Sequence, residues 1–385
     1  MKHLLYICFL SISLYSCIES GKTSSSDLPQ VITIDMNNSR NLDFKTICSK
    51  IEIVPLETSG YSLVGGLRTI IVTDEFYIIS DNQKVVSFFD KEGHFISNSQ
   101  EKKGMGPEEY NQLLGISYNE GFNAVDIFTP YYQMTYDTCF NLVNKKKLPS
   151  WSQKNKKFSQ FFYASHYVSP DKSILLPTTL SENPHRIVVY NTIDEKIIQE
   201  INYDNDVIAP ITGQGISLFP INDSLVYFSP PALSYTHYIL NTNSFSTQKS
   251  FVFDFGEQNI NSEDLKSHKT DMEKNEFLLW SSEKPLPLRT LFNELYISTT
   301  IKMKDNYFVH FHFRKTGENY IMKPKESKRA FVFECIKDNV LYSLVQPHNL
   351  EEYVDISLAD EKNKKIIENI KEDDNPIVVK YYLKQ

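Results

Sequence analysis

Short runs of alternating apolar and polar residues, separated by small polar clusters, recur along the chain. The clearest set is EFYIISDNQKVVSFFDKEGHFISNSQEKKGMGPEEY, residues 75–110. Residues 76–80, 85–90 and 94–99 have the period of two that puts every second side chain on one face of a sheet. The cluster Asp90-Lys91-Glu92-Gly93 predicts a hairpin, because Gly93 takes a positive φ without steric cost. Strands this short, about ten residues apart, form a small antiparallel sheet of the size of a propeller blade.

The same rhythm predicts further four-stranded units. The first covers residues 63–99 and the second 114–148, with a turn at Asn119-Glu120-Gly121. The third covers 162–203, turning at Ser169-Pro170-Asp171-Lys172, and the fourth 215–255, turning at Asn222-Asp223. The fifth covers 291–334, with turns at Lys304-Asp305-Asn306 and Thr316-Gly317-Glu318. A sixth gathers 340–346, the terminal strand 377–383 and two N-terminal strands, 31–36 and 45–56. The terminal strand alternates and follows Pro376, so it is predicted to lie beside an N-terminal strand and close a ring.

Two segments break the pattern. Residues 262–281, SEDLKSHKTDMEKNEFLLWS, predict a surface helix capped by Ser262, with Glu263 and Asp264 in its first turn. Its late apolar residues, Phe277 to Trp280, are predicted to dock its end on the body, making 257–290 an inserted lid. Residues 349–374 predict a helix or ordered loop before the final strand.

Beyond the hairpin, Gly104-Met105-Gly106-Pro107-Glu108-Glu109-Tyr110 concentrates two glycines and a proline. No lysine and hydroxyl follow as in a phosphate-binding loop, so Gly104, Gly106, Pro107, Glu109 and Tyr110 are read as a structural connection between blades. Together with IEIVPLET at 51–58, FFDKEGHFI at 88–96 and NPIVVKYYLK at 375–384, this loop resembles the six-bladed β-propeller lipoproteins of Bacteroidetes, an NHL-like group. The family's usual loop is GxGPGEY, and here Glu108 replaces its third glycine. The resemblance implies an all-β fold: a six-bladed β-propeller with four-stranded antiparallel blades, its ring closed by N- and C-terminal strands. It covers the N-terminal third and the last strand most specifically, and the count of six rests on it.

The chain begins MKHLLYICFLSISLYSC, in which Lys2 precedes an apolar run too short to span a bilayer. Residues 1–17 therefore read as an export signal ending in a lipobox, with Cys17 as the lipidated residue and membrane attachment through that lipid. Residues 18–29 form a polar tether, and 30–385 a single domain. Cys48, Cys139 and Cys335 are an odd set, read as buried free thiols. Tyrosine and phenylalanine, 23 and 25 in number, suit a β-rich body, and 23% charged residues are too many for a membrane-embedded barrel. A net charge of −8 argues against nucleic acid as a partner.

The chain holds no HExxH, CxxC or GxSxG motif and nothing that calls for a cofactor. His310 and His312 are two apart on a predicted strand and share a face, so they are a candidate ligand or metal site, with Arg314 read as following on the other face. His166, His185, Arg186 and His237 fall near strands of blades three and four without a spacing that unites them. Trp151, Trp280, Tyr131, Tyr132 and Tyr235 are candidate stacking platforms for a sugar, although packing explains tyrosines equally well. Three functions remain open: a non-catalytic envelope lipoprotein binding a protein, peptide or glycan; a propeller lyase or hydrolase acting on polysaccharide or peptide; and an envelope assembly factor.

Overall fold

Gly93 turns the chain at φ +92°, and Asp90 Oδ1 accepts the backbone N–H groups of Glu92 and His94 at 3.0 and 2.8 Å. This hairpin joins Val86–Asp90 to Phe95–Asn98, the third and fourth strands of a sheet that also contains Leu67–Val72 and Phe76–Asp81. The computed structural model describes residues 28–149, 161–178, 186–203, 208–210, 218–230, 232–323 and 332–384.

Six such sheets make a β-propeller. Blade two runs from Gly115–Asn119 to Leu142–Lys147 and blade three from Phe162–Ser169 to Lys196–Asn202. Blade four runs from Leu218–Asn222 to Ser246–Asp254. Blade five opens on Leu286–Phe292, earlier than expected, because the alternating run extends back to Leu286, which is 1% exposed. It ends on Asn319–Met322. The first strands of neighbouring blades lie against one another, as blade two's does against blade three's, which places them innermost around the axis.

Blade six closes the ring from both ends of the chain. Its order is Cys335–Lys337, Val340–Val345, Ile377–Leu383 and Cys48–Pro55, with Val378 opposite Val54 and Tyr381 opposite Ile51. Ile377, Val378, Val379 and Tyr381 are each 0% exposed, and burying such side chains stabilises by about 1.5–3 kcal/mol apiece.

The other N-terminal strand does not join this blade. Gln30–Thr33 instead pairs in parallel with Ser246–Asp254 on the outer edge of blade four, and Arg40–Asn41 does the same to blade five. The reason lies in its side chains: Ile32 and Ile34, each 1% exposed, fill the apolar seam between blades four and five. On blade six, Ala359 forms a parallel bridge to Ile51, and Asn363 Oδ1 accepts the Ile53 N–H at 2.7 Å. Three outer edges are thus covered, which blocks edge-to-edge pairing with another chain. The outer strand of blade two, LVNKKK, carries lysines at its end instead.

The predicted helix at Ser262 starts later. Asn261 Oδ1 accepts the N–H groups of Glu263 and Asp264, and Asp264 pairs with Lys284 at 2.7 Å, so residues 262–267 form turns. The helix is Asp271–Glu276, with a capping box between Thr270 and Glu273, and it runs into a π-helical turn, Phe277–Ser281. Leu278 docks at 1% exposure, whereas Trp280 remains 74% exposed and does not join the core.

Candidate functional site

The long connections between strands fall on one face of the ring, beside short turns at 82–85, 129–131 and 304–305. First-to-second and third-to-fourth strand turns, such as 73–75, 91–94, 170–171 and 338–339, never exceed five residues. The other face carries 56–66, 99–114 and 255–285, and both ends of 346–376, whose middle runs along the outer edge of blade six. Tight turns supply little beyond hydrogen-bonded backbone, while long loops on a rigid scaffold are where binding side chains concentrate. Exposed apolar residues on this loop-rich face include Tyr61, Leu63, Met105, Tyr131, Met272 and Trp280.

One of its loops is built for rigidity. Gly106 N–H donates to Glu109 Oε2 at 2.8 Å, and a Cβ on Gly104 would stand 2.0 Å from that oxygen, so glycine there leaves room for the carboxylate. Tyr110 is 2% exposed, and its hydroxyl bonds Ser99 Oγ at 2.5 Å and the Lys84 carbonyl at 2.8 Å. Pro107 O accepts from Lys145 Nζ at 2.5 Å. The loop joins Phe95–Asn98 to Gly115–Asn119, from the outer edge of one blade to the inner strand of the next. Glu108, where the resembling family has glycine, is absent from the residues with positive φ and needs none of glycine's freedom.

His310 and His312 do share a face, and both turn inward. His310 Nε2 lies 2.9 Å and His312 Nδ1 3.0 Å from Asn319 Oδ1, while His312 Nε2 lies 3.1 Å from Gln30 Nε2. With neutral rings, both histidines donate to Asn319 and His312 accepts from Gln30. Asn319 Nδ2 reaches the Thr33 carbonyl at 3.3 Å, so the cluster clasps the N-terminal strand against blade five. Burial lowers the His310 pKa to about 4. Among the described residues no group of three or more His, Cys, Asp or Glu is placed to hold a metal. The strand ends at Phe313, so Arg314 lies in the turn beyond it rather than on the opposite face. It donates to the Asn293 and Glu294 carbonyls at 3.0 and 3.2 Å and lies 4.6 Å from the Phe292 ring centre.

The remaining candidates do not converge. His237 is 3% exposed, bonds the Tyr227 hydroxyl at 2.7 Å and stacks on Phe251 at 4.6 Å. Burial lowers its pKa to about 3. Arg186 is ion-paired with Glu200 inside blade three, and His166 lies partly buried on that blade's inner strand. Tyr235 is not a platform: its buried hydroxyl accepts the Ile260 N–H at 2.7 Å. Trp151, His185, Cys17 and the leader lie outside the described residues. Cys48 and Cys335 are buried, with thiol pKa values pushed up to about 12, but Cys139 is exposed in a turn. The polarity there has a cause: Asp137 Oδ1 accepts the Cys139 and Asn141 N–H groups, which fixes an open turn.

Sequence reasoning passed over two places. Asp126 is 0% exposed and sits between blades two and three, accepting from Thr135 Oγ1 at 2.6 Å and Gln133 Nε2 at 2.8 Å, with Gln133 also on the Tyr167 hydroxyl at 2.8 Å. Burial raises its carboxyl pKa, and its neighbours make it a structural seam. Within AVDIF it reads only as the polar member of an alternating strand. The second place is on the loop-rich face, where Lys302 is 4% exposed yet its Nζ lies 5.8 Å from the Trp280 ring and 5.9 Å from the Tyr307 ring.

The sequence pattern of the domain family of unknown function DUF4934 matches residues 29–382. The chain belongs to that family. Its fold is shared with a Bacteroides fragilis protein named for inferred export, at TM-score 0.71 and 15% identity, covering 92% of this chain and 100% of the other. It is also shared with a Bacteroides vulgatus member of the DUF4221 family, at TM-score 0.52 and 11% identity over 87% of this chain and 98% of the other. No curated protein matches the sequence.

Proposed function

We propose that this family member is a non-catalytic binding propeller of the cell envelope, exported and held by lipid on Cys17, which engages a protein, peptide or glycan through its loop-rich face. The observation that carries this reading is the placing of the long connections: turns of at most five residues on one face, against 56–66, 99–114 and 255–285 on the other. Three histidines that a lyase or hydrolase could use are committed to internal bonds: His237 to Tyr227, and His310 and His312 to Asn319. The envelope address draws on the apolar leader and Cys17 and on the export named for the Bacteroides fragilis relative. No helix among the described residues is long and apolar enough to cross a membrane.

The test is site-specific photo-crosslinking in cells, with the probe at Tyr61, Tyr131 or Met272 on the loop-rich face and at Phe122 or Ile193 on the tight-turn face. Partner adducts only from the first set are expected. Adducts chiefly from Phe122 and Ile193 would overturn the assignment.

A further inference from the structure

Trp280 stands on the π-helical turn Phe277–Ser281, two residues after Leu278, a spacing that turns it away from the side on which Leu278 docks. An indole left 74% in water loses the burial that normally rewards so large a ring. Beside it, Lys302 is 4% exposed and its ammonium has no carboxylate partner among the described residues. Its Nζ lies 5.8 and 5.9 Å from the centres of the Trp280 and Tyr307 rings, and its hydrogen bond goes to the Lys304 carbonyl. The nearby acids are accounted for: Glu283 pairs with Lys304 at 3.1 Å, and Asp305 acts on Lys302 only from beyond ion-pair distance. A buried ammonium with unused donors is costly unless an anion completes it, and two nearby rings supply only part of that charge balance.

We propose that Trp280, Lys302 and Tyr307 form a saccharide subsite selective for sugars that carry a carboxylate, the uronic-acid class. The apolar face of a pyranose lies on Trp280, and the exposed indole shifts aside to let the sugar carboxylate reach the donors of Lys302 that its bond to Lys304 leaves over. A neutral sugar makes the stacking contact and leaves the ammonium unpaired. A peptide carboxylate offers the charge without the flat apolar face that a single exposed indole fits. This inference rests on the binding-propeller reading and names the ligand class for its loop-rich face.

The experiment titrates the purified full chain with oligomers of galacturonate, glucuronate and mannuronate, and with maltohexaose, following tryptophan fluorescence and calorimetry. At least one uronate oligomer is expected to bind saturably and about tenfold or more tighter than maltohexaose, the discrimination of one charge-assisted hydrogen bond. Trp280→Ala should abolish binding with unchanged thermal stability. Lys302→Met, which keeps the apolar stem, should bring acidic and neutral oligomers to parity, and Lys302→Arg should restore part of the preference. Absence of binding by all three uronates, equal binding of maltohexaose by the native chain, or full binding by Trp280→Ala overturns the subsite. Adducts from the loop-rich face that contain only protein overturn it while leaving the propeller reading intact. Adducts from the tight-turn face overturn that reading instead.

Discussion

The side chain of Asn375 accepts the backbone N–H of Val64 at 2.9 Å, joining residues 311 positions apart. Its Nδ2 donates to the Glu57 and Ser62 carbonyls at 2.7 and 2.8 Å, and its own N–H donates to Thr58 Oγ1 at 2.8 Å. Asn375 is 3% exposed and stands two residues before Ile377, where the terminal strand begins, so one amide fastens the tail to the segment entering blade one. Asn375→Ala leaves those backbone groups buried without partners and should cost about 2–4 kcal/mol in urea unfolding. Asn243→Ala, in an exposed turn, should change stability by less than about 0.5 kcal/mol. Similar values for the two would refute the fastening role.

Acid should weaken the fold through its buried imidazoles. His237 and His310 have folded pKa values lowered by burial to about 3 and about 4, below the unfolded value of 6.5. Below pH 6.5 the unfolded chain binds protons that the folded chain refuses. Stability is therefore complete above that pH and falls as pH drops toward the folded values, on the order of 1.4 kcal/mol per pH unit per histidine. Urea unfolding between pH 7 and 4.5 should show a slope in His237→Gln shallower by about one proton. An unchanged slope would contradict this.

Gly104 and Glu109 should behave as one unit. Gly104→Ala drives a methyl group into the Glu109 carboxylate and should cost about 1–3 kcal/mol. In a Glu109→Ala background the same change meets open space and should cost much less. Additive losses in this double-mutant cycle would show that the glycine serves some other need.

The added strand on blade four protects an edge. Ile32→Asp puts a charge into the seam between blades four and five and should release Gln30–Thr33, exposing Ser246–Asp254. Light scattering should then report concentration-dependent association that the native chain lacks. A monomer at every concentration would mean that the edge needs no cover.

Much of this fold was legible because each blade repeats a local rule: alternation on short strands and turn residues such as Gly93 at fixed places. What escaped was set by partners distant in sequence. Nothing within Gln30–Thr33 says that it will add in parallel to a strand more than 200 residues away. The shared face of His310 and His312 followed from strand period, but their role depended on Asn319 and on the arrival of Gln30. Arg314, four residues after His310, would by strand period share the histidines' face, so reading it on the other face ran against the alternation; the strand has in any case ended at Phe313. The helix start was readable and missed: Thr270-x-x-Glu273 is a capping box, a stronger signal than Ser262. Lys302 gave no signal, since a lysine in an alternating strand reads as solvated until the rings of Trp280 and Tyr307 are seen near its ammonium.

Amide hydrogen exchange along Ile377–Leu383 and Cys48–Pro55 tests the closed ring most directly. Both strands should exchange together, in the slowest class with the blade cores, and Asn375→Ala should speed both in parallel. Rapid exchange of the terminal strand while blades one to five stay protected would contradict the clasp.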